Sequence, residues 1–293
     1  MKKRIILFLK GLLMGICDVI PGVSGGTIAF ITGIYTRLIN AVKSFSPKII
    51  SDFIKHVLKK DEETNVELKE DIKKLDLIFL ITLGAGIATA IFIGSGIITF
   101  LLENYFVYTI ALFIGLILAS SKIIFDNIKN HHTQNVLFGV LGLVIGILLS
   151  ILIPVKVTPT LPYVFLAGFL AISAMFLPGI SGAFILLILG VYEFMLKVLH
   201  NIGQNIGFFI VFIIGAALGA FIISRIISFL FRKDRCKTLY VLLGLVLGSL
   251  SIPIKRVFQS SQVWNIPSTI ITIALFLLGF FIVKTIHHFE KKK

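Results

Sequence analysis

Two short turns rich in glycine and serine carry the polar groups of this chain that are best suited to chemistry. Residues 21–25 read Pro-Gly-Val-Ser-Gly, and residues 178–182 read Pro-Gly-Ile-Ser-Gly. Proline ends an incoming helix, and glycine allows a close backbone approach. Ser24 and Ser181 are therefore expected to cap the outgoing helices, whose free N–H groups attract an anion. The pattern predicts an anion site built from the two turns.

The two turns differ in polarity. Gly26 and Thr27 extend the first turn, whereas Ala183 and Phe184 follow the second. An alternative interpretation is that proline and glycine only kink ordinary membrane helices, in which both are common. Because the motif occurs twice, we favour a shared site with a poorer second half. Its predicted ligands are Ser24, Gly25, Gly26, Thr27, Ser181 and Gly182.

Three ionisable residues within apolar stretches are further candidates, because such residues are costly in a membrane and often functional. Asp18 lies three residues before Pro21. Arg37 is suited to a bidentate phosphate contact, although it could also snorkel to the membrane surface. Glu193 corresponds to Thr36 in the first motif. Asp18 and Glu193 are the candidates for proton coupling, and a structural hydrogen bond is the alternative for Asp18.

Other polar residues in apolar stretches have simpler interpretations. Tyr35 and Tyr192 match across the two motifs and are expected to be anchors at the membrane interface. Lys10 and Arg225 are expected to reach the headgroups by snorkelling.

No pattern for catalysis, a metal or a cofactor is recognisable. All six histidines fall in loops or at segment ends, and no base lies near Ser24 or Ser181 in the sequence. Cys17 and Cys236 are too few to predict a disulfide framework or a metal site. The chain is therefore predicted to have no catalytic residues, no metal and no cofactor.

Composition indicates the element type that must position these residues. Hydrophobic residues make up 57% of the 293 residues and charged ones 14%. The apolar runs lack the alternation of barrel strands, so an all-α polytopic membrane protein is predicted. The formal net charge of +14 comes from short loops, which is an orientation signal and does not indicate a nucleic-acid partner. The basic and apolar start is interpreted as retained, because no cleavage site follows it.

The chain contains an internal duplication. An offset of 157 residues relates the two motifs, and an offset of 129 relates residues 97–101 to 226–230. The difference of 28 residues matches a charged insertion at about 43–74, interpreted as a cytoplasmic helical hairpin. Two repeats are thus predicted, residues 1–154 and 155–293.

Each repeat is predicted to be a re-entrant helical hairpin followed by three transmembrane helices. The predicted spans are about 77–101, 105–121, 136–154, 207–231, 238–252 and 266–284. With a cytoplasmic N-terminus, 21 basic residues lie inside and 4 outside. Both termini are then cytoplasmic, and the odd number of spans inverts the second repeat relative to the first, as in transporters.

The paired motifs resemble those of a bacterial membrane family once catalogued as a domain of unknown function. Residues 15–27 with Gly33-Ile34-Tyr35, and residues 178–182 with residues 190–193, resemble the two signatures of the PopT-type polyprenyl-phosphate transporters. The resemblance implies a flippase in the bacterial inner membrane that returns undecaprenyl phosphate from the outer to the inner leaflet for envelope polymer synthesis. The partners implied are this lipid and the membrane. Thr36 departs from the acidic residue expected there, which argues against a symmetric acidic pair.

Two other functions stay open on the residues alone. A small-anion channel or exchanger would use the same glycine-serine turns. A lipid-pyrophosphate phosphatase is disfavoured, because no intramembrane cluster of histidine and glutamate is present. The sequence makes no prediction about the oligomeric state.

Overall fold

The computed structural model describes residues 2–19, 24–45, 75–260 and 264–291. Within these ranges every regular element is helical, which confirms the all-α fold. The first part holds α1 (Lys2–Val19), α2 (Gly25–Ile31), α3 (Tyr35–Lys43), α4 (Leu77–Thr89), α5 (Ser95–Asn104), α6 (Phe106–Asp126) and α7 (Thr133–Ser150). The second holds α8 (Leu161–Met175), α9 (Gly182–Ile188), α10 (Tyr192–His200), α11 (Ile206–Lys233), α12 (Arg235–Ser249), α13 (Ser251–Gln259) and α14 (Ile266–Lys291). The predicted insertion hairpin lies mostly outside the described residues, as do Pro21 and Gly22.

Within the described residues, six helical segments are long and apolar enough to cross a membrane, so the chain is a multi-pass membrane protein. They are Leu77–Gly94, Phe106–Asp126, Thr133–Ser150, Ile206–Lys233, Arg235–Gln259 and Ile266–His288. Each coincides with one predicted span. The first segment contains a π-helical stretch, Ala90–Gly94, that joins α4 to α5.

The long helices pack in pairs, two within the halves of the chain and two between them. Within the halves, α1 packs on α4 and α8 packs on α11. Between the halves, α6 packs on α14 and α7 packs on α12. The duplication relates α6 to α12 and α7 to α14. The α6·α14 pair and the α7·α12 pair, which we call the cross-pairs, are therefore counterparts of each other. The corresponding helices α6 and α12 are also the most buried of the candidate spans. This arrangement is consistent with two repeats, whereas their inversion and the boundary after residue 154 stay predictions.

Both predicted hairpins are present, because the chain reverses direction at each serine turn. The N–H of Gly25 donates to Asp18 Oδ1 at 2.8 Å, and Lys10 Nζ donates to the Thr32 carbonyl at 2.7 Å. These two contacts show that α2 runs antiparallel to α1. In the second half, the Tyr163 hydroxyl near the start of α8 donates to the Leu189 carbonyl at the end of α9. After that hairpin, α9 and α10 are bent by 113°.

Glycine allows the two cross-pairs to pack closely. A Cβ atom on Gly248 of α12 would lie 2.9 Å from Gly146 Cα of α7, closer than real Cβ contacts allow. In the α6·α14 pair, a Cβ on Gly115 would lie 3.0 Å from the Phe280 backbone nitrogen. Small residues at helix contacts let backbones approach in lipid, where van der Waals packing drives helix association. The central helices α6 and α12 are thereby held against α14 and α7.

Candidate functional site

The first serine turn leaves two polar oxygens without hydrogen bonds. Ser24 has the extended backbone of an N-cap (φ −122°, ψ 125°), as predicted, but its hydroxyl makes no capping bond. Its side chain is only 2% exposed. Neither Ser24 Oγ nor Asp18 Oδ2 has a partner in the described parts of the chain, although both atoms are buried. Buried polar atoms are nearly always bonded, so an unsatisfied pair at one turn indicates a place for a ligand or a proton.

Asp18 is held in this turn by its other oxygen. Oδ1 accepts the N–H of Gly25, which leaves Oδ2 unsatisfied. A Cβ on Gly25 would lie 2.8 Å from the Asp18 carboxyl carbon, so glycine is required for this contact. None of the ion pairs between described residues includes Asp18. A buried carboxylate without a cation is unfavourable, and a proton or a hydrogen-bond donor from a ligand would relieve that cost.

The two serine turns meet, as the shared site requires. The N–H of Gly179 donates to Thr27 Oγ1 at 2.9 Å, and this contact is buried. Gly179 has a φ of +90°, a conformation that favours glycine. A Cβ on Gly26 would lie 2.7 Å from the Met175 carbonyl oxygen, so the start of α2 packs directly on the end of α8. Thr27 still has its hydroxyl proton available, because a hydroxyl accepts and donates at the same time.

The second turn is more self-contained. Ser181 is an N-cap, and its hydroxyl accepts the N–H of Phe184 at 3.4 Å, a long capping bond. A Cβ on Gly182 would lie 2.7 Å from the Met175 side chain, and Phe184 is buried where the first turn has Thr27. The polarity difference expected from the sequence is therefore visible in the geometry. That Ser181 and Gly182 bind a ligand stays a prediction.

Arg37 is occupied by an ion pair that the sequence did not indicate. Its Nε and Nη2 atoms donate to the two oxygens of Asp76 at 2.6 and 3.0 Å. The guanidinium also lies 4.4 Å from the centre of the Phe79 ring, and the Arg37 side chain is 55% exposed. Arg37 belongs to α3, beyond the break that ends α2, so the structure places it apart from the turn. The sequence signal for this ion pair is that Asp76 is the last charged residue before the apolar run of α4.

Glu193 lies in the first turn of α10 and is exposed. No hydrogen bond between described residues joins Glu193 to Asp18 or to either serine. The structure thus gathers Asp18, Ser24 and Thr27 at one place and leaves Glu193 elsewhere. A role for Glu193 in proton coupling stays a prediction.

Two polar residues have structural roles that differ from the predicted ones. Tyr35 is not an interfacial anchor: it is 2% exposed, and its hydroxyl donates to the Phe176 carbonyl at 2.8 Å. This bond joins the first half to the second beside the serine turns. Lys10 was expected at the headgroups, but its ammonium donates to the carbonyl of Thr32 at the C-terminal end of α2. A cation at that position neutralises carbonyls that the helix leaves unbonded.

An apolar cavity of about 190 Å³ borders the first hairpin. It lies between the hairpin and the α6·α14 pair, and its walls include Leu13, Cys17, Ile28, Leu112 and Val283. Cys17 immediately precedes Asp18. The polar turn and a space whose walls are apolar apart from Thr32 and Cys17 are therefore neighbours, an environment that suits an amphiphile with a polar head and an apolar tail.

Comparisons with known proteins agree with this arrangement. The chain matches the sequence model of the VCA0040-like family, described as undecaprenyl phosphate translocase-like, over residues 14–269. It is 37% identical over 243 residues to a polyprenyl-phosphate transporter of Vibrio cholerae, covering 83% of this chain and 75% of that protein. It is 29% identical over 299 residues to a polyprenyl-phosphate transporter of Staphylococcus aureus, covering 96% and 95%. No solved structure matches the chain.

Proposed function

Because the chain belongs to the VCA0040-like family, described as undecaprenyl phosphate translocase-like, we propose that it transports a polyprenyl phosphate across the bacterial cytoplasmic membrane. Both relatives described above carry the name polyprenyl-phosphate transporter. The observation that carries the proposal is the buried pair of unsatisfied oxygens, Asp18 Oδ2 and Ser24 Oγ, beside the contact between the two turns.

The phosphate binds at the first serine turn in this proposal. The hydroxyls of Ser24 and Thr27 donate to phosphate oxygens, and the glycines at positions 25 and 26 let Asp18 and the end of α8 pack against this turn. The second turn, with Ser181 and Gly182, closes the site from the other side. The polyprenyl tail stays in hydrocarbon, and the apolar cavity beside Cys17 accepts its first units.

Asp18 couples this binding to a proton. An ionised carboxylate would repel the phosphate, whereas a protonated Oδ2 donates a hydrogen bond to it. Uptake of the proton therefore favours phosphate binding, and its loss favours release. Glu193, exposed at the start of α10, exchanges protons on the opposite side of the membrane.

Arg37 receives the phosphate at the cytoplasmic end of the path. Its two donors already hold a carboxylate in a bidentate geometry that also suits a phosphate. The phosphate exchanges with Asp76, whose own carboxylate keeps the guanidinium oriented while the site is empty.

The proposal also includes an orientation of the chain and a direction of transport. The bias of 21 basic residues to 4 supports a cytoplasmic location of both termini. The proposal is that the carrier lipid enters from the outer leaflet and leaves to the inner one, while the two halves rock around the turns.

The test is leaflet exchange of a fluorescent polyprenyl phosphate in proteoliposomes that contain the full chain, with and without a pH gradient. Ser24→Ala is expected to lower the exchange rate about tenfold or more, and Asp18→Asn to remove the effect of the gradient. Ser121→Ala is the matched control, because Ser121 is buried in α6 and its hydroxyl, among the described residues, bonds to its own helix at Ile117. Its rate should equal that of the wild type.

Two results would contradict the proposal. One is wild-type protein that exchanges the lipid no faster than empty liposomes. The other is rapid chloride or fluoride flux in liposomes without polyprenyl lipid, lost in Ser24→Ala, which would identify a small-anion pathway.

A further inference from the structure

A groove with mostly apolar walls and a basic mouth lies between α7, α11 and α12, and Thr238 is the uncharged polar residue that lines it. Its volume is about 450 Å³, and we call it the α11–α12 groove. Its walls are the apolar side chains of Phe138, Leu177, Ile227, Leu230, Val241 and Leu242. Its mouth is formed by Lys233, Asp234 and Lys237, at the junction where α11 ends and α12 begins.

The inner end of the groove is adjacent to the second serine turn. Leu177 immediately precedes Pro178, the first residue of that motif. Along α11, Lys233 follows Ile227 by six residues, about 9 Å at 1.5 Å per residue. The candidate membrane span of α11 ends at Lys233. The groove therefore connects the depth of the serine turns with the membrane surface.

The charges at the mouth favour an anion. Asp234 is the N-cap of α12: its Oδ1 accepts the N–H of Lys237 at 3.0 Å, and its Oδ2 lies 3.3 Å from Lys237 Nζ. Lys233 is exposed. The mouth thus holds two ammonium groups and one carboxylate that is fixed by the helix end.

We propose that the α11–α12 groove is the docking site of the polyprenyl phosphate in the leaflet where α11 ends, a proposal that rests on the function proposed above. Lys233 and Lys237 hold the phosphate, and the walls hold the first units of the tail. A phosphate monoester carries a charge of about −1.5 to −2 near neutral pH, and the mouth, with two lysines and Asp234, is net positive. An ordinary phospholipid diester carries a single phosphate charge and two tails, so it fits this charge and this groove less well.

The test uses a polyprenyl phosphate with a photoreactive diazirine in its first unit and the purified full chain in lipid nanodiscs. Mass spectrometry of the labelled peptides is expected to find the label at Leu230 and Val241. The double variant Lys233→Gln/Lys237→Gln should lose this labelling by about fivefold per lysine, the usual effect of one cation at an anionic lipid surface. Arg232→Gln is the matched control, because Arg232 is exposed on the same turn and does not line the groove.

A second pair of variants tests the walls. Leu230→Trp fills the groove and should abolish labelling at Val241. Ile226→Trp, one turn earlier on α11 and similarly exposed, should leave it unchanged. Both positions face outward, so neither change is expected to prevent folding.

The outcomes separate this proposal from the function itself. Leaflet exchange by wild-type protein without any label in the groove overturns the docking site and leaves the function standing. Equal loss of label in Arg232→Gln, or equal competition by excess phosphatidylglycerol, also overturns it, because the mouth would then be a general anionic-lipid surface. Label in the groove without leaflet exchange overturns the transport function.

Discussion

The contact between the two serine turns can be tested by the substitution Thr27→Val. Thr27 Oγ1 accepts the N–H of Gly179 at 2.9 Å, and Thr27 is only 3% exposed. Valine has nearly the same shape but no acceptor, so it leaves this N–H buried and unbonded. Such a group costs about 1–3 kcal/mol, which corresponds to about a 5- to 150-fold loss in the equilibrium between joined and separated turns.

The prediction has an internal control at Thr32. Thr32 is 2% exposed, and its hydroxyl donates to the Ile28 carbonyl. That carbonyl also accepts the backbone N–H of Thr32, so Thr32→Val leaves no buried group unbonded. Its expected cost is smaller than that of Thr27→Val, because the acceptor of the lost hydrogen bond keeps another donor. Thr27→Ser, which keeps the acceptor, should recover most of the loss.

The measurements are thermal unfolding of purified protein and leaflet exchange of fluorescent polyprenyl phosphate in proteoliposomes. Thr27→Val should lower both the melting temperature and the exchange rate, while Thr32→Val changes neither appreciably. If the two valine variants behave alike, the turns are not joined by this hydrogen bond and the reasoning is wrong. A melting temperature unchanged in Thr27→Val would have the same meaning.

Two further predictions concern the helix ends and the helix crossings. The backbone N–H of Lys237 donates to Asp234 and lowers the pKa of that carboxyl. Ionised Asp234 therefore stabilises the folded state above the usual pKa of an aspartate, and this stabilisation is lost as the pH falls below about 4. Asparagine caps a helix equally well, so Asp234→Asn should melt with a smaller pH dependence in that acid range, measured by thermal unfolding. In α12, a Cβ on Gly244 would lie 2.6 Å from the backbone nitrogen of Leu143, and Gly244→Ala should cost about 1–3 kcal/mol. At Gly84 no described atom beyond the adjacent backbone of its own helix would lie within 4 Å of an added Cβ, so Gly84→Ala should be neutral or stabilising in the same denaturation assay.

The helices of this protein could be predicted almost entirely from the sequence. The six spans, the two hairpins and the N-cap positions of Ser24 and Ser181 all occur where the apolar runs and the Pro-Gly motifs placed them. Lipid requires every backbone group to bond within its own helix, so the length of an apolar run determines the helix directly. A proline-glycine break is likewise a local signal.

The candidate site was predicted only in part. The residues of the first turn were recognised because polar atoms in an apolar run are unusual. Their hydrogen-bond partners could not be recognised in this way, because they lie far away in the sequence. Thr27 bonds to Gly179, 152 residues later, and Tyr35 bonds to Phe176, 141 residues later. Arg37 is predicted to contact a phosphate, and its ion pair with Asp76, across the insertion, is not visible in the sequence. A side chain's partner depends on which helices pack together, and hydrophobicity along the chain does not encode that choice.

The sequence alone thus determined the class of protein, the number of spans and the polar asymmetry between the turns, because these depend on local composition. Only the tertiary structure decided that α6 pairs with α14 and α7 with α12, that the turns share a hydrogen bond, and that Asp18 and Ser24 keep buried oxygens unsatisfied. Those features arise from helix packing through glycine contacts between segments far apart in the chain.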